Sequence, residues 1–131
     1  MNWMIFRIIY EVIIVNYLLK KHGMKTIQHY NKKYATKNNK SRLNNKKTFQ
    51  IIHLIDKVCF LFWGDAECLH RSLIGYKLLR RMGVEVELVV GVKKFPFGSH
   101  AWIEYDNEII NDLKEIRSSY HEVLRVGGAT P

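Results

Sequence analysis

The sequence holds only two cysteines, Cys59 and Cys68, among 131 residues. Two thiols do not make a disulfide framework, and these are not spaced as a Cys-x-x-Cys pair, so thiolate metal binding is disfavoured as well. Acids are nearly missing from the first fifty positions, where eleven Lys/Arg face one acid, Glu11, a balance of +10. Residues 51–131 hold ten Lys/Arg against eleven Asp/Glu, a balance of −1. The net charge of +9 therefore belongs to the N-terminal third, and the near-neutral remainder argues against a nucleic-acid-binding surface over the whole protein. No uninterrupted apolar run of the ~20 residues needed for a membrane span exists, because Arg7 and Glu11 break the opening stretch MNWMIFRIIYEVIIVNYLLK. No basic segment precedes that stretch and no small-residue cleavage site follows it, which sets the expectation of a cytoplasmic protein with reduced thiols.

What is present suits one compact domain: 47% hydrophobic and 25% charged residues, enough for a core without disulfides or metal. Residues 3–22 read as a helix with a wide apolar face, with Arg7 and Glu11 four apart on one side and Gly23 as its stop. The helix is expected to pack on its own domain, with peripheral membrane contact as the rival reading. A second short helix is expected over 25–34. Residues 35–47, rich in Asn and Lys, read as a mobile loop. The chain thus divides into a basic N-terminal region, 1–47, and a main body, 48–131.

Helical periodicity resumes over 48–63, and Gly64 ends it. Asp65 is a good N-cap for a further helix over about 66–82, closed by Gly83. Residues 84–92 alternate as a strand, KKFPFGS reads as a connecting loop, and HAWIEY and EIIND read as two strands about Asp106-Asn107. Residues 113–126 are left as a terminal helix or irregular chain, and VGGATP as a frayed tail. Helices followed by a meander of antiparallel strands make an α+β plan.

Cys68 falls in the first turn of its helix, where free N–H groups and the positive end of the dipole favour thiolate over thiol. Ser72 and Gly75 continue that face and are small enough to let another layer approach. Cys59, among apolar residues, reads as a buried hydrophobe. A Cys nucleophile needs a base, and the base needs an orienting group. His70 is two residues away and cannot face Cys68 on a helix. His100 opens a strand and Asp112 closes the next. In an antiparallel pair a two-residue loop at Asp106-Asn107 would put His100 opposite Leu113 and Asp112 on the other face. A three-residue loop would set His100 across from Asp112, with Cβ atoms ~5 Å apart. The trio therefore predicts an odd hairpin loop. Such trios can be assembled in many chains.

The residues CLHRSLIGYKLLRRMGVEVELVVGV and PFGSHAWIEYDNEIIND narrow the choice. They resemble the lasso-peptide leader peptidases, transglutaminase-like cysteine proteases of bacterial peptide biosynthesis. The likeness covers roughly residues 49–112. It rests on Cys68-Leu69-x-Arg71-Ser72, Leu78-Leu79-Arg80-Arg81-x-Gly83, Gly91-Val92 and His100-Ala101-Trp102. It implies a papain/transglutaminase-like α+β fold, with N-terminal helices followed by a nucleophile-bearing helix on a small antiparallel sheet. It also implies a Cys68–His100–Asp112 triad and removal of a leader from a lasso precursor, with no cofactor. Its implied partners are the precursor's leader, a small leader-recognition protein and an ATP-dependent cyclase. Trp63, Phe97, Ser99 and Trp102 are candidate substrate contacts. Three other readings stay open: a transglutaminase or acyltransferase on the same triad, a non-catalytic peptide-binding module, and a membrane- or nucleic-acid-binding protein driven by the basic N-terminal third.

Overall fold

In the computed structural model, which describes residues 2–34, 45–62 and 68–127, the helical half of the chain comes first in sequence and packs around its own last helix. The elements are α1 (Asn2–His22), α2 (Lys25–Tyr34), α3 (Asn45–Phe62) and α4 (Cys68–Arg81). They are followed by β1 (Glu87–Lys94), β2 (Phe97–Tyr105), β3 (Glu108–Ile109), α5 (Ile116–Ser119) and β4 (His121–Val126). The four strands make one antiparallel sheet in the order β3-β2-β1-β4. This is the expected α+β arrangement. Among the described residues, no helix is long and apolar enough to cross a membrane.

Helix α4 is the centre of the molecule, in contact with α1, α2, α3, β1 and β2. Its middle, Ser72 to Tyr76, is buried without a break, as a helix covered on all sides must be. Gly75 allows the closest approach to the sheet: a Cβ there would stand 2.6 Å from the Ile103 side chain. Gly83 ends α4 with φ +89°, its N–H on the Arg80 carbonyl and the next N–H, of Val84, on Leu79, so two orphan carbonyls are satisfied.

Helix α1 belongs to the same core. Ile8, Val12 and Val15 are fully buried, and Glu11 beside them is held by Arg7 at 3.0 Å and by Lys77 of α4 at 2.8 Å. From α2, Ile27 and Tyr30 enter the core, and Asn31 accepts the Gly127 N–H at 3.1 Å.

Several expectations are corrected. Residues 45–47, assigned to a loop, begin α3; residues 35–44 of that loop lie outside the described residues, as do Trp63, Gly64 and the Asp65 cap. The strand expected from residue 84 starts at Glu87, although Val84 and Val86 before it are buried. KKFPFGS is not a loop: β1 runs to Lys94, β2 begins at Phe97, and a turn at Phe95-Pro96, with a cis peptide, joins them. Residues 113–126 contain the missed strand β4. It pairs with the far edge of β1, so the sheet is not a simple meander, and Val126 and Gly127 are anchored rather than frayed.

The hairpin loop is also corrected. Tyr105 pairs with Glu108 and Glu104 with Ile109, so the turn holds two residues, not three. Asp106 and Asn107 both have positive φ, 52° and 68°, the geometry whose twist suits a tight hairpin. Carried onward, this register would send Asp112 to the wrong face of the sheet. It is not carried onward, because β3 ends after two residues.

Candidate active site

The end of β3 leaves an open edge on β2, and three side chains close it. The Ile110 N–H still reaches the Ile103 carbonyl at 2.9 Å. In a regular ladder the Ile103 N–H would return to Ile110. It goes instead to Asn111 Oδ1 at 2.7 Å. Residue 101 is two positions along, so its N–H and C=O leave β2 on the same side. Ser72 donates from α4 to the Ala101 carbonyl at 3.2 Å, and the Ala101 N–H points at Cys68 Sγ, 3.4 Å away. Asn111 Nδ2 donates to Ser72 Oγ at 3.1 Å and joins the set. Cys68 and Ser72, four apart on one helix face, thus dock α4 onto the edge that β3 vacates.

Cys68 is half-buried at the head of α4. Just past Asn111 the chain bends, and Asp112 Oδ2 meets His100 Nε2 at 2.6 Å. Asp112 Oδ1 accepts the Leu113 N–H at 2.7 Å, so both carboxylate oxygens are engaged. The His100 and Asp112 side chains retain 17% and 24% exposure. The structure therefore brings Asp112 to His100 and sets Cys68 against the peptide that follows His100. It does so by breaking the ladder rather than by the odd loop that the sequence suggested.

His100 also has a floor. Tyr120 stacks on its ring with centroids 5.5 Å apart, and Trp102 lies 6.0 Å away. Trp102 was a candidate substrate contact, but it is 1% exposed and packs with Val89, Ile109, Ile116 and Tyr120. Its indole N–H donates to Glu104 at 2.9 Å, so it supports the site from within. Gly91, paired with His100 across the sheet, makes room for these rings: a Cβ there would stand 3.0 Å from both Trp102 and Tyr120. Phe97 and Ser99 are exposed on β2, Phe97 80% so, and no contact yet distinguishes them as binding residues. Trp63 lies outside the described residues.

Behind Trp102, buried Glu104 is held by Arg125 at 2.9 Å and Arg117 at 3.0 Å, and Arg125 also reaches Glu87 and Glu122. Burial pushes the Glu104 carboxyl up, but hydrogen bonds from Trp102 and Arg125 and the two arginine charges outweigh it and hold it below the usual glutamate range. Sequence reading missed Asn111, Tyr120 and this network. Asn111 carried one visible signal, its place directly before Asp112. Among the described residues, no group of three or more His, Cys, Asp or Glu could hold a metal ion.

A sequence model of the transglutaminase-like superfamily matches residues 17–125, most of the helices and all of the sheet but Val126. The chain belongs to that superfamily. It is also similar to the microcin J25-processing protein McjB of Escherichia coli, with 27% identity over 128 residues that span 92% of this chain and 57% of McjB. The chain thus spans little more than half the length of that relative. No solved structure matches.

Proposed function

We propose that this transglutaminase-like protein is a cysteine peptidase that removes the leader from a ribosomally made lasso-peptide precursor. The observation that carries the reading is the His100 Nε2–Asp112 Oδ2 pair at 2.6 Å, next to a half-buried thiol on the N–H of the residue after His100. The likeness to a microcin-processing protein supports the choice of a precursor peptide as substrate.

With Nε2 given to Asp112, Nδ1 is the ring nitrogen that takes the Cys68 thiol proton. The sulfur attacks the carbonyl carbon at the leader–core junction, and Asp112 steadies the resulting imidazolium. The Cys68 N–H, in the first turn of α4, is the proposed donor to the developing oxyanion. Nδ1 then protonates the leaving amine, the C–N bond breaks, and the core peptide departs. Water attacks the thioester, His100 takes its proton and returns it to sulfur, and the leader leaves as a carboxylate. Phe97 and Ser99 are proposed to touch the substrate. The scheme draws on no cofactor. A small leader-recognition protein and an ATP-dependent cyclase are the proposed partners, and the cytoplasm the proposed setting.

The test is incubation of precursor with purified protein, with and without a leader-recognition partner, read by mass spectrometry. Cys68→Ala is expected to abolish leader release while the circular dichroism spectrum stays unchanged. Undiminished release by Cys68→Ala would reject the nucleophile. The same spectra separate hydrolysis from acyl transfer: water leaves a free leader acid, and an amine acceptor leaves an adduct.

A further inference from the structure

Every exposed position of α1 between Trp3 and Leu19 carries a large apolar side chain. They are Trp3, Phe6, Tyr10, Ile13 and Tyr17, each between 49% and 70% exposed. Their spacing alternates three and four residues, so they form one line about 21 Å long at 1.5 Å per residue. The opposite side of the helix, with Ile8, Val12 and Val15, already fills the core. The outer line is therefore surplus to folding, and soluble proteins seldom leave such a row uncovered.

Spacing and charge both limit what can cover it. A strict three–four alternation is the narrow seam of helix pairing, in which a partner helix sets its knobs between these side chains. Glu11, the one acid of α1, is buried and taken by Arg7 and Lys77, and α2 has no acid at all. Cations are densest at one end of the seam: α1 closes with Lys20, Lys21 and His22 and α2 opens with Lys25, against Arg7 and Arg81 beside Trp3 at the other end. A second copy paired in parallel would set two such positive ends together, and one paired antiparallel would bring them no exposed acid from α1 or α2. A lipid-lying helix has basic residues along its whole polar margin. Here the exposed line has none until Lys20.

We infer that this seam docks an amphipathic helix of a partner protein, with acidic residues on the partner near Lys20, Lys21 and Lys25. The inference stands apart from the chemistry at Cys68.

The test uses the full chain and isothermal titration calorimetry. The probe is a synthetic helical peptide of about three heptads with Leu at the two seam positions and Glu beside them. A Lys-flanked version and vesicles of phosphatidylcholine with phosphatidylglycerol are the comparisons. The acidic peptide should bind, and Ile13→Glu or the Lys20→Glu/Lys21→Glu pair should weaken it by roughly tenfold or more. Both sites are exposed, and an unchanged melting temperature would show that the fold survives. Absence of binding, equal binding by the Lys-flanked peptide, or tighter binding to vesicles would each overturn the proposal. So would self-association in sedimentation that Ile13→Glu abolishes. Cys68→Ala should leave peptide binding unchanged, which keeps this result separate from the cleavage assay.

Discussion

The main-chain N–H of Ile103 is bonded to the side chain of Asn111, at 2.7 Å, where β3 would ordinarily supply a carbonyl. One amide thereby stands in for a strand. The chain need not keep the register set by its two-residue turn, and Asp112 is released to bend toward His100. The same amide reaches Ser72, so the bend is tied to the helix that bears Cys68.

Asn111→Ala should therefore act twice. It leaves the Ile103 N–H without its partner and removes a bond from buried Ser72, at a cost of about 1–3 kcal/mol. It also frees Asp112, so the proposed leader cleavage should fall further than the stability loss accounts for. Asn111→Asp keeps the acceptor but not the donor to Ser72 and should fall between the two. Urea unfolding and cleavage rates measured on the same preparations check this. Wild-type cleavage by a destabilised Asn111→Ala would detach the amide from the positioning of Asp112.

Gly91 is the second place where a small change should reach His100. An added methyl would meet Trp102 and Tyr120 at 3.0 Å and the His121 carbonyl at 3.1 Å. The carbonyl belongs to β4 and cannot swing aside as a side chain does. Gly91→Ala should cost about 1–3 kcal/mol through overpacking. The His100 ring protons should also move in the NMR spectrum as Tyr120 is pushed off the imidazole. An unchanged melting temperature and unchanged ring shifts would mean that the stack tolerates the methyl.

The four large helices were legible because apolar residues recur at helical spacing over long windows and glycines close two of them. The Asp106-Asn107 turn was legible for a similar local reason. The fate of the strand after it was not. What ends β3 is the Asn111 amide, bonded to Ile103 and also to Ser72, 39 positions away, and no local pattern carries such a term. Reading Asp112 as a ladder residue forced the choice of an odd loop, and the structure brings Asp112 to His100 by another route. Strand β4 was hidden because it is a half-exposed edge: only Val126 is buried, and its pairing shifts at Val90/Gly91. Trp102 stayed open between core packing and substrate contact because period-two alternation says which residues share a face, not what covers that face; the structure buries it at 1% exposure.

The Glu104 cluster makes a pH prediction. Arg125 also holds the Glu122 carboxyl below its usual range, as Trp102, Arg125 and Arg117 do for Glu104. A carboxyl whose folded pKa is lowered contributes stability above the ordinary glutamate pKa of about 4.3. That contribution is lost as pH falls through the folded value. Unfolding free energy should thus be flat near neutrality and drop below about pH 4. Glu104→Gln should be destabilised at pH 7, on the order of 3 kcal/mol, because it strips a buried ion pair of one member. Its acid slope should be shallower, so that the two curves converge toward low pH. Parallel curves from pH 7 down to pH 3 would place the acid sensitivity elsewhere.

The two thiols should differ sharply toward alkylating agents. Cys59 is 1% exposed among α3 core residues, and burial pushes its thiol up to about 11. Cys68 is half-buried at the open edge of β2, where the Ala101 N–H points at its sulfur. Iodoacetamide at neutral pH should modify Cys68 first. Cys59 should react only as fast as the protein opens, since the thiolate is the reacting species and its site admits neither charge nor reagent. Peptide mapping by mass spectrometry after short exposures distinguishes them. Prior alkylation should block the proposed leader cleavage in step with Cys68 modification, whereas Cys59→Ser should leave the kinetics of inactivation unaltered. Equal labelling of both thiols in the folded protein would contradict the packing of α3. Full cleavage by protein alkylated only at Cys68 would remove that sulfur from the chemistry.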